Sequence, residues 1–325
     1  MKNTGLKKYE YATVDNFTSD IGLKVRKVVN RPWRSILKLA TKREVIVESY
    51  PDLPKNKNYI FVCNHSFDED VISLLQTINR NVYILNGTTD QTEHNPIFIA
   101  MWANGMVYVN RLNKESRVSS VEKMQRVLRA GNSVMMFSEG GYNNTENQLV
   151  MPLFSGAYYL SKSENVEIVP IVSFNEPGSD KIYIRADNPV DITSYNQYEG
   201  MSIVRDKLAT MVYEIILEHT EPLDREKCGP DLRAYYMEIR KQVYDCQKWY
   251  NDVWDEELTM YNGHGVVPPN EAFAYVDDIK ITPQNASIVG PLIAPLLVKR
   301  EEERKYDLKQ YLKKNIKLQG QNTTK

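Results

Sequence analysis

The hydrophobic pattern changes character along the chain. From Ile21 to Leu39, apolar residues (Ile21, Leu23, Val25, Val28, Val29, Trp33, Ile36, Leu37, Leu39) interleave with basic ones, as an amphipathic helix requires. Pro32 falls inside this stretch and predicts two short helices rather than one. Between residues 43 and 192 short apolar runs recur: Glu44–Glu48, Tyr59–Cys63, Val82–Leu85, Met106–Val109, Val134–Phe137, Ile168–Phe174 and Ile182–Ile184. Runs of this length, closed by polar residues, read as strands. Pro170 inside Ile168–Val172 predicts a strand start or an edge strand, because proline has no N–H for a ladder.

Helical patterns lie between several of these strands. Ser119-Ser120-Val121-Glu122 reads as a capping box, and Val121, Met124, Val127 and Leu128 follow at helical spacing. Gly131 then stands where a helix-ending glycine belongs. The alternation predicts an α/β domain, with a mainly parallel or mixed sheet flanked by helices. After residue 198 the pattern is helical, with Ile203, Val204, Leu208, Met211, Val212, Ile215 and Ile216 marking one face. Asp231–Trp254 reads as an aromatic-rich helix, 262–298 as loops and Lys299–Lys317 as a terminal helix. The chain thus divides into 1–42 (a polar arm and basic amphipathic helices), 43–220 (the α/β domain, expected to be catalytic) and 221–325 (a mostly helical extension).

Composition narrows the class. Of 325 residues, 41 are Lys or Arg and 42 are Asp or Glu, so whole-protein charge gives no footing for nucleic-acid binding. No apolar run reaches the ~18 residues of a membrane span. Three cysteines, Cys63, Cys228 and Cys246, match no disulfide framework or zinc spacing. The opening Met-Lys-Asn-Thr-Gly-Leu-Lys-Lys leads into no apolar segment, so a cytosolic, reducing compartment is expected. Local charge is another matter. Residues 21–43 hold Lys24, Arg26, Lys27, Arg31, Arg34, Lys38, Lys42 and Arg43 with no acidic residue. With Trp33 among them, they fit a membrane–water interface; a solvated hairpin packed on the core is the plainer alternative.

Candidate chemistry collects where strands end, the edge at which ligands bind α/β sheets. Asn64-His65-Ser66-Phe67-Asp68-Glu69-Asp70 follows Tyr59–Cys63 directly. A histidine with a carboxylate on one ring nitrogen can take up a proton on the other. Five residues of straight helix would turn the side chain by about 140°, so a His65–Asp70 pair requires His65 on the loop and Asp70 in the first helical turn. On spacing alone Asp68 and Glu69 are rivals, and a capping acid in a surface loop is the plainer reading. Arg111, closing Gly105–Arg111, is placed to hold an anion. Phe137-Ser138-Glu139-Gly140-Gly141 puts a carboxylate and two glycines after another strand, where backbone can approach a ligand.

The order Asn-His-x4-Asp, Gly-x4-Asn-Arg, Phe-x-Glu-Gly and Val-Pro-Ile, with Gly156-Ala157 between the last two, resembles the glycerolipid acyltransferase family. Its best-known members are the 1-acyl-sn-glycerol-3-phosphate acyltransferases. The resemblance covers residues 40–192 and implies an O-acyltransferase. His65 would be the catalytic base and Asp70 its orienting acid. An acyl thioester, acyl-CoA or acyl carrier protein, would be co-substrate, with no metal and no bound cofactor. The acceptor would be a lysoglycerolipid, 1-acyl-glycerol-3-phosphate or a relative. Arg111 would bind its phosphate; Asn64, Glu139, Gly140, Gly141 and Asn143 would line the acceptor site. Val169–Val172 would line the acyl region. The enzyme would work peripherally on the cytoplasmic face of the cell membrane, held by residues 21–43.

The third block departs from the family's Phe-Pro-Glu-Gly-Thr-Arg-Ser. Ser138, Gly141 and Tyr142 stand for its proline, threonine and arginine, and Asn143-Asn144 follow. A tyrosine and asparagines bond neutral hydroxyls but bring no positive charge, so a larger head group or a glycolipid acceptor enters the picture. Three other classes make distinct predictions. A non-catalytic membrane adaptor would keep its function in His65→Ala. A metal hydrolase using His65, Asp68 and Asp70 would be stopped by chelators. A nucleic-acid binder acting through residues 21–43 would lose affinity steeply with salt.

Overall fold

The computed structural model describes residues 14–40, 43–65, 70–87, 101–102, 105–109, 113–141, 149–151, 153–176 and 179–219. The expected aromatic-rich helix 231–254 and the rest of 221–325 lie outside them. Two compact units divide the chain: Met1–Tyr142 with Pro152–Leu208, and Asn143–Met151 with Ala209–Lys325. Of the second unit the described part is 149–151 and the last turns of one helix.

The first unit is built on seven strands: β1 (Glu44–Ser49), β2 (Ile60–Cys63), β3 (Val82–Gly87), β4 (Met106–Val109), β5 (Ser133–Phe137), β6 (Ile168–Asn175) and β7 (Lys181–Ala186). The sheet order is β1-β7-β6-β2-β5-β3-β4. Every neighbouring pair is parallel except β6 with β7. All seven predicted apolar runs are strands of this sheet. Continuous runs arise because parallel strands are covered on both faces: every residue of β2 and β4 is buried. Strand β1, at one edge, instead has only exposed and half-buried positions.

Among the described residues, the sheet is accompanied by helices α1 (Val14–Phe17), α2 (Asp20–Ala40), α3 (Asp70–Ile78), α4 (Lys114–Arg129), α5 (Gly156–Glu164) and α6 (Gln197–His219). Helix α3 lies against β6 and β7, α4 against β3, β4 and β5, and α5 against β2 and α4. The core between sheet and helices includes Phe61, Leu74, Met135, Val169 and Ile184. In α6, Val204, Leu208, Val212, Ile215 and Ile216 are buried, along the face the spacing marked.

Three expectations are corrected. Helix α4 begins five residues before the predicted capping box, at Lys114, with Asn113 as its cap. The Asn113 carboxamide accepts the Ser116 N–H at 2.9 Å. Ser120 lies mid-helix and donates to the Arg117 carbonyl at 2.8 Å. The first turn is polar, which hid it from a hydrophobic-period reading. Gly131 does close the helix, with φ +75°. Its N–H donates to the Leu128 carbonyl and the Asn132 N–H to that of Val127, the two bonds of a Schellman end.

Pro32 does not divide the basic segment, since α2 runs unbroken from Asp20 to Ala40. A proline removes one donor and crowds one carbonyl, and the helix absorbs that loss. Pro170 sits in an interior strand between β2 and β7, not at a start or an edge. It is tolerated because β7 ends opposite it. The last β6–β7 partners are Ile171 and Ala186. Pro170 spends its carbonyl on the Asp187 N–H at 3.0 Å, where no ladder asks it for a donor.

Candidate active site

Strand register builds the site. In the β2–β5 ladder Cys63 pairs with Phe137, and in the β2–β6 ladder Cys63 pairs with Ile171. Residues two beyond each strand position therefore emerge side by side: His65, Glu139 and Ser173. This is the carboxyl edge of the parallel strands.

Asn64 fixes the exit of β2. Its side-chain Nδ2 donates to the Ser173 carbonyl at 3.0 Å, and its Oδ1 accepts the Ser173 N–H at 2.9 Å. A carboxamide paired with a whole peptide group in this way acts as one more rung of the sheet. His65 follows at once. Its Nδ1 lies 2.8 Å from Asp70 Oδ2, with Asp70 the first residue of α3. The His65 side chain is 13% exposed and that of Asp70 is fully buried. A carboxylate at Nδ1 selects the tautomer with its proton there, which leaves the lone pair on Nε2.

Two further contacts hold the same residue. The His65 N–H donates to Glu139 Oε1 at 2.9 Å. The Phe137 ring stacks on the imidazole with centroids 4.2 Å apart and planes at 30°. Glu139 is itself buried, at 3% exposed. Gly140 follows with φ +79°, which turns the chain away from the strand and requires glycine. At Gly141 an added Cβ would meet nothing within 4 Å, so the space beside it is open.

The neighbouring thiol is no nucleophile. Cys63 is fully buried, and burial, reinforced by the Asp70 charge, pushes its thiol well above the usual range. A thiol held neutral does not attack a carbonyl.

Of the residues singled out in the sequence, the structure therefore brings Asn64, His65, Asp70, Glu139 and Gly140 to one edge, with Gly141 beside them. Arg111 and Asn143 lie outside the described residues, as do Phe67, Asp68 and Glu69. Sequence reasoning missed the Phe137 ring and the Ser173 peptide. Phe137 opens the Phe-x-Glu-Gly block, which marks the residue but not the role of its ring, and Ser173 lies inside a strand with no local signal of its own.

Part of the basic segment lies among the described residues. Arg26 is not a surface charge: it is buried, its guanidinium 4.1 Å from the Phe17 ring centroid and 4.8 Å from that of Trp102. Arg43 turns inward to the Asn175 carboxamide. Lys24 and Lys27 are exposed. So are Ile21, Val25 and Val28, at 77%, 53% and 71%. These three share one helical face. No helix among the described residues is long and apolar enough to cross a membrane.

Residues 44–173 match the family model described as acyltransferase. Over 127 residues the chain is 25% identical to an uncharacterized acyltransferase of Schizosaccharomyces pombe, covering 38% of this chain and 45% of that protein. The chain thus spans less than half the length of that relative. Over 180 residues it is 24% identical to the 1-acyl-sn-glycerol-3-phosphate acyltransferase of Borreliella burgdorferi, covering 51% of this chain and 70% of that one. The solved 1-acyl-sn-glycerophosphate acyltransferase of Thermotoga maritima superposes with a TM-score of 0.49 at 17% identity, over 65% of this chain and 94% of that chain. The similarity to acyltransferases lies in residues 44–173.

Proposed function

We propose that this protein transfers an acyl group from an acyl thioester to a hydroxyl of a lysoglycerolipid, 1-acyl-glycerol-3-phosphate or a related lysophospholipid. The observation that carries the reading is the His65–Asp70 contact of 2.8 Å, with a fully buried acid, at the carboxyl edge of the sheet. His65 Nε2 takes the proton of the acceptor hydroxyl as its oxygen attacks the thioester carbonyl. The C–O bond forms, the C–S bond breaks, and the imidazolium returns its proton to the leaving thiolate. Asp70 keeps the ring oriented and offsets the charge that develops on it. Buried Cys63 offers no competing thiolate, so the acyl group passes directly from donor to acceptor. Acyl-CoA and acyl carrier protein both fit as donor.

Arg111, by the resemblance, holds the acceptor's phosphate. The block Ser138–Tyr142 favours a second reading for the acceptor. It lacks the arginine of the family pattern, so a glycolipid or a lysophospholipid with a bulkier head group fits this edge as well.

Helix α2 supplies the contact with the lipid phase, on the cytoplasmic face of the cell membrane. Ile21, Val25 and Val28 insert, while Lys24 and Lys27 each add about 1 kcal/mol near an anionic surface. Purified protein incubated with radiolabelled acyl-CoA or acyl carrier protein and a panel of lysolipids tests the whole reading. One acceptor acylated by the wild type and not by His65→Ala supports it. No transfer from either donor to any acceptor contradicts it. Flotation with anionic vesicles tests the membrane contact separately: Val28→Glu should leave the vesicle fraction.

A further inference from the structure

We propose that Glu139 is a positioning residue that acts through His65, not a ligand of the acceptor hydroxyl. The proposal rests on the acyl-transfer reading above. Its basis is the register of β2 against β5, which delivers residue 139 to the backbone of residue 65. Glu139 Oε1 accepts the His65 N–H at 2.9 Å across 74 residues of sequence. The carboxylate is buried, at 3% exposed, where a ligand-binding group would face the open space beside Gly141. A buried carboxylate is retained at cost unless it is hydrogen-bonded, and here the bond goes to the residue that carries the imidazole.

Glu139 works with two neighbours. Phe137, two residues earlier, stacks on the imidazole face at 4.2 Å. Asn64 ties the preceding residue to the Ser173 peptide. Asp70 sets the rotation of the ring about its own axis, Phe137 its plane, and Glu139 the backbone from which it hangs. A general base must sit within hydrogen-bond reach of the proton it takes, so backbone drift at His65 lowers turnover rather than acceptor affinity.

The test is a kinetic split with rescue, made on the full chain with acyl-CoA and the acceptor found for the wild type. Glu139→Ala should lower kcat by about 100-fold while KM for the acceptor moves less than about three-fold. Glu139→Gln keeps a carbonyl oxygen at the same place, so it should regain most of that loss. Melting curves on each variant separate misplacement from unfolding, and if Glu139→Ala does not fold, Glu139→Gln alone decides. A Glu139→Gln variant that folds but shows acceptor KM raised about ten-fold or more with kcat held overturns the proposal, as does a folded Glu139→Gln with kcat as low as that of His65→Ala. A wild type inactive with every acceptor instead overturns the acyl-transfer reading, and the two failures are told apart by that control.

Discussion

The two edges of the sheet use polar side chains in opposite ways. At the amino edge lies a cavity of about 510 Å3, lined by Lys27, Lys55, Arg80, Asn81 and Asn132 among others. Several of its polar groups are bonded within the protein, Asn81 to the Asn132 side-chain oxygen at 2.6 Å and Lys57 to Glu167. Arg80 donates to the carbonyls of Leu53, Pro54 and Lys57. The ends of α3 and α4 point there, and basic side chains suit the partial negative charge of helix C-termini. At the carboxyl edge no comparable void is needed. Buried Asp70 and Glu139 both bond to His65, and buried Asn64 ties the strand end just before it to the Ser173 peptide. Concavity and charge make a cavity; buried acids bonded to one titratable residue make a site.

The contrast can be broken by substitution at each edge. The largest effect belongs to His65→Ala, which should reduce acyl transfer about 1,000-fold or more in protein that still folds, as read by product formation and circular dichroism. Asp70→Asn should cost about 100-fold in kcat, because the amide offers the ring no charge and tolerates the wrong tautomer. Phe137→Leu should cost about ten-fold in kcat by releasing the plane of the ring. At the amino edge Arg80→Ala should do the reverse. Three carbonyls lose this donor, so stability should fall by about 1–2 kcal/mol in denaturant titration, while kcat per folded molecule stays at the wild-type level. Smallest of all should be the kinetic effect of Cys63→Ala. If a thioester to Cys63 lay on the path, that variant would be inactive, and rapid quench would trap the acyl group on the protein.

Much of the fold was legible in the chain, and the reason is specific. Strands buried on both faces have no polar alternation to blur their edges, so runs such as Tyr59–Cys63 stand out. Strand order did not stand out, since nothing near Pro170 announces that β7 stops opposite it. The polar first turn of α4 likewise hid its start from a reading that follows apolar spacing. In the site, the His65–Asp70 contact spans only five residues, yet spacing alone left Asp68 and Glu69 as rivals and the family resemblance singled out Asp70. The Asn64–Ser173 pair is separated by 109 residues and the His65–Glu139 pair by 74. Those contacts exist only through register, which local pattern does not encode. Family resemblance pointed to Asn64 and Glu139 as substrate ligands; the geometry shows each bonded to backbone at the sheet edge.

The most direct test of the central claim, that a carboxylate-held histidine at the carboxyl edge drives the transfer, compares His65→Ala with Arg80→Ala in one assay. Labelled acyl-CoA, the acceptor used by the wild type and a melting curve on each preparation suffice. The account predicts a folded, inactive His65→Ala and a less stable Arg80→Ala that retains wild-type turnover per folded molecule. A folded His65→Ala that still transfers the acyl group within about ten-fold of the wild type would contradict it.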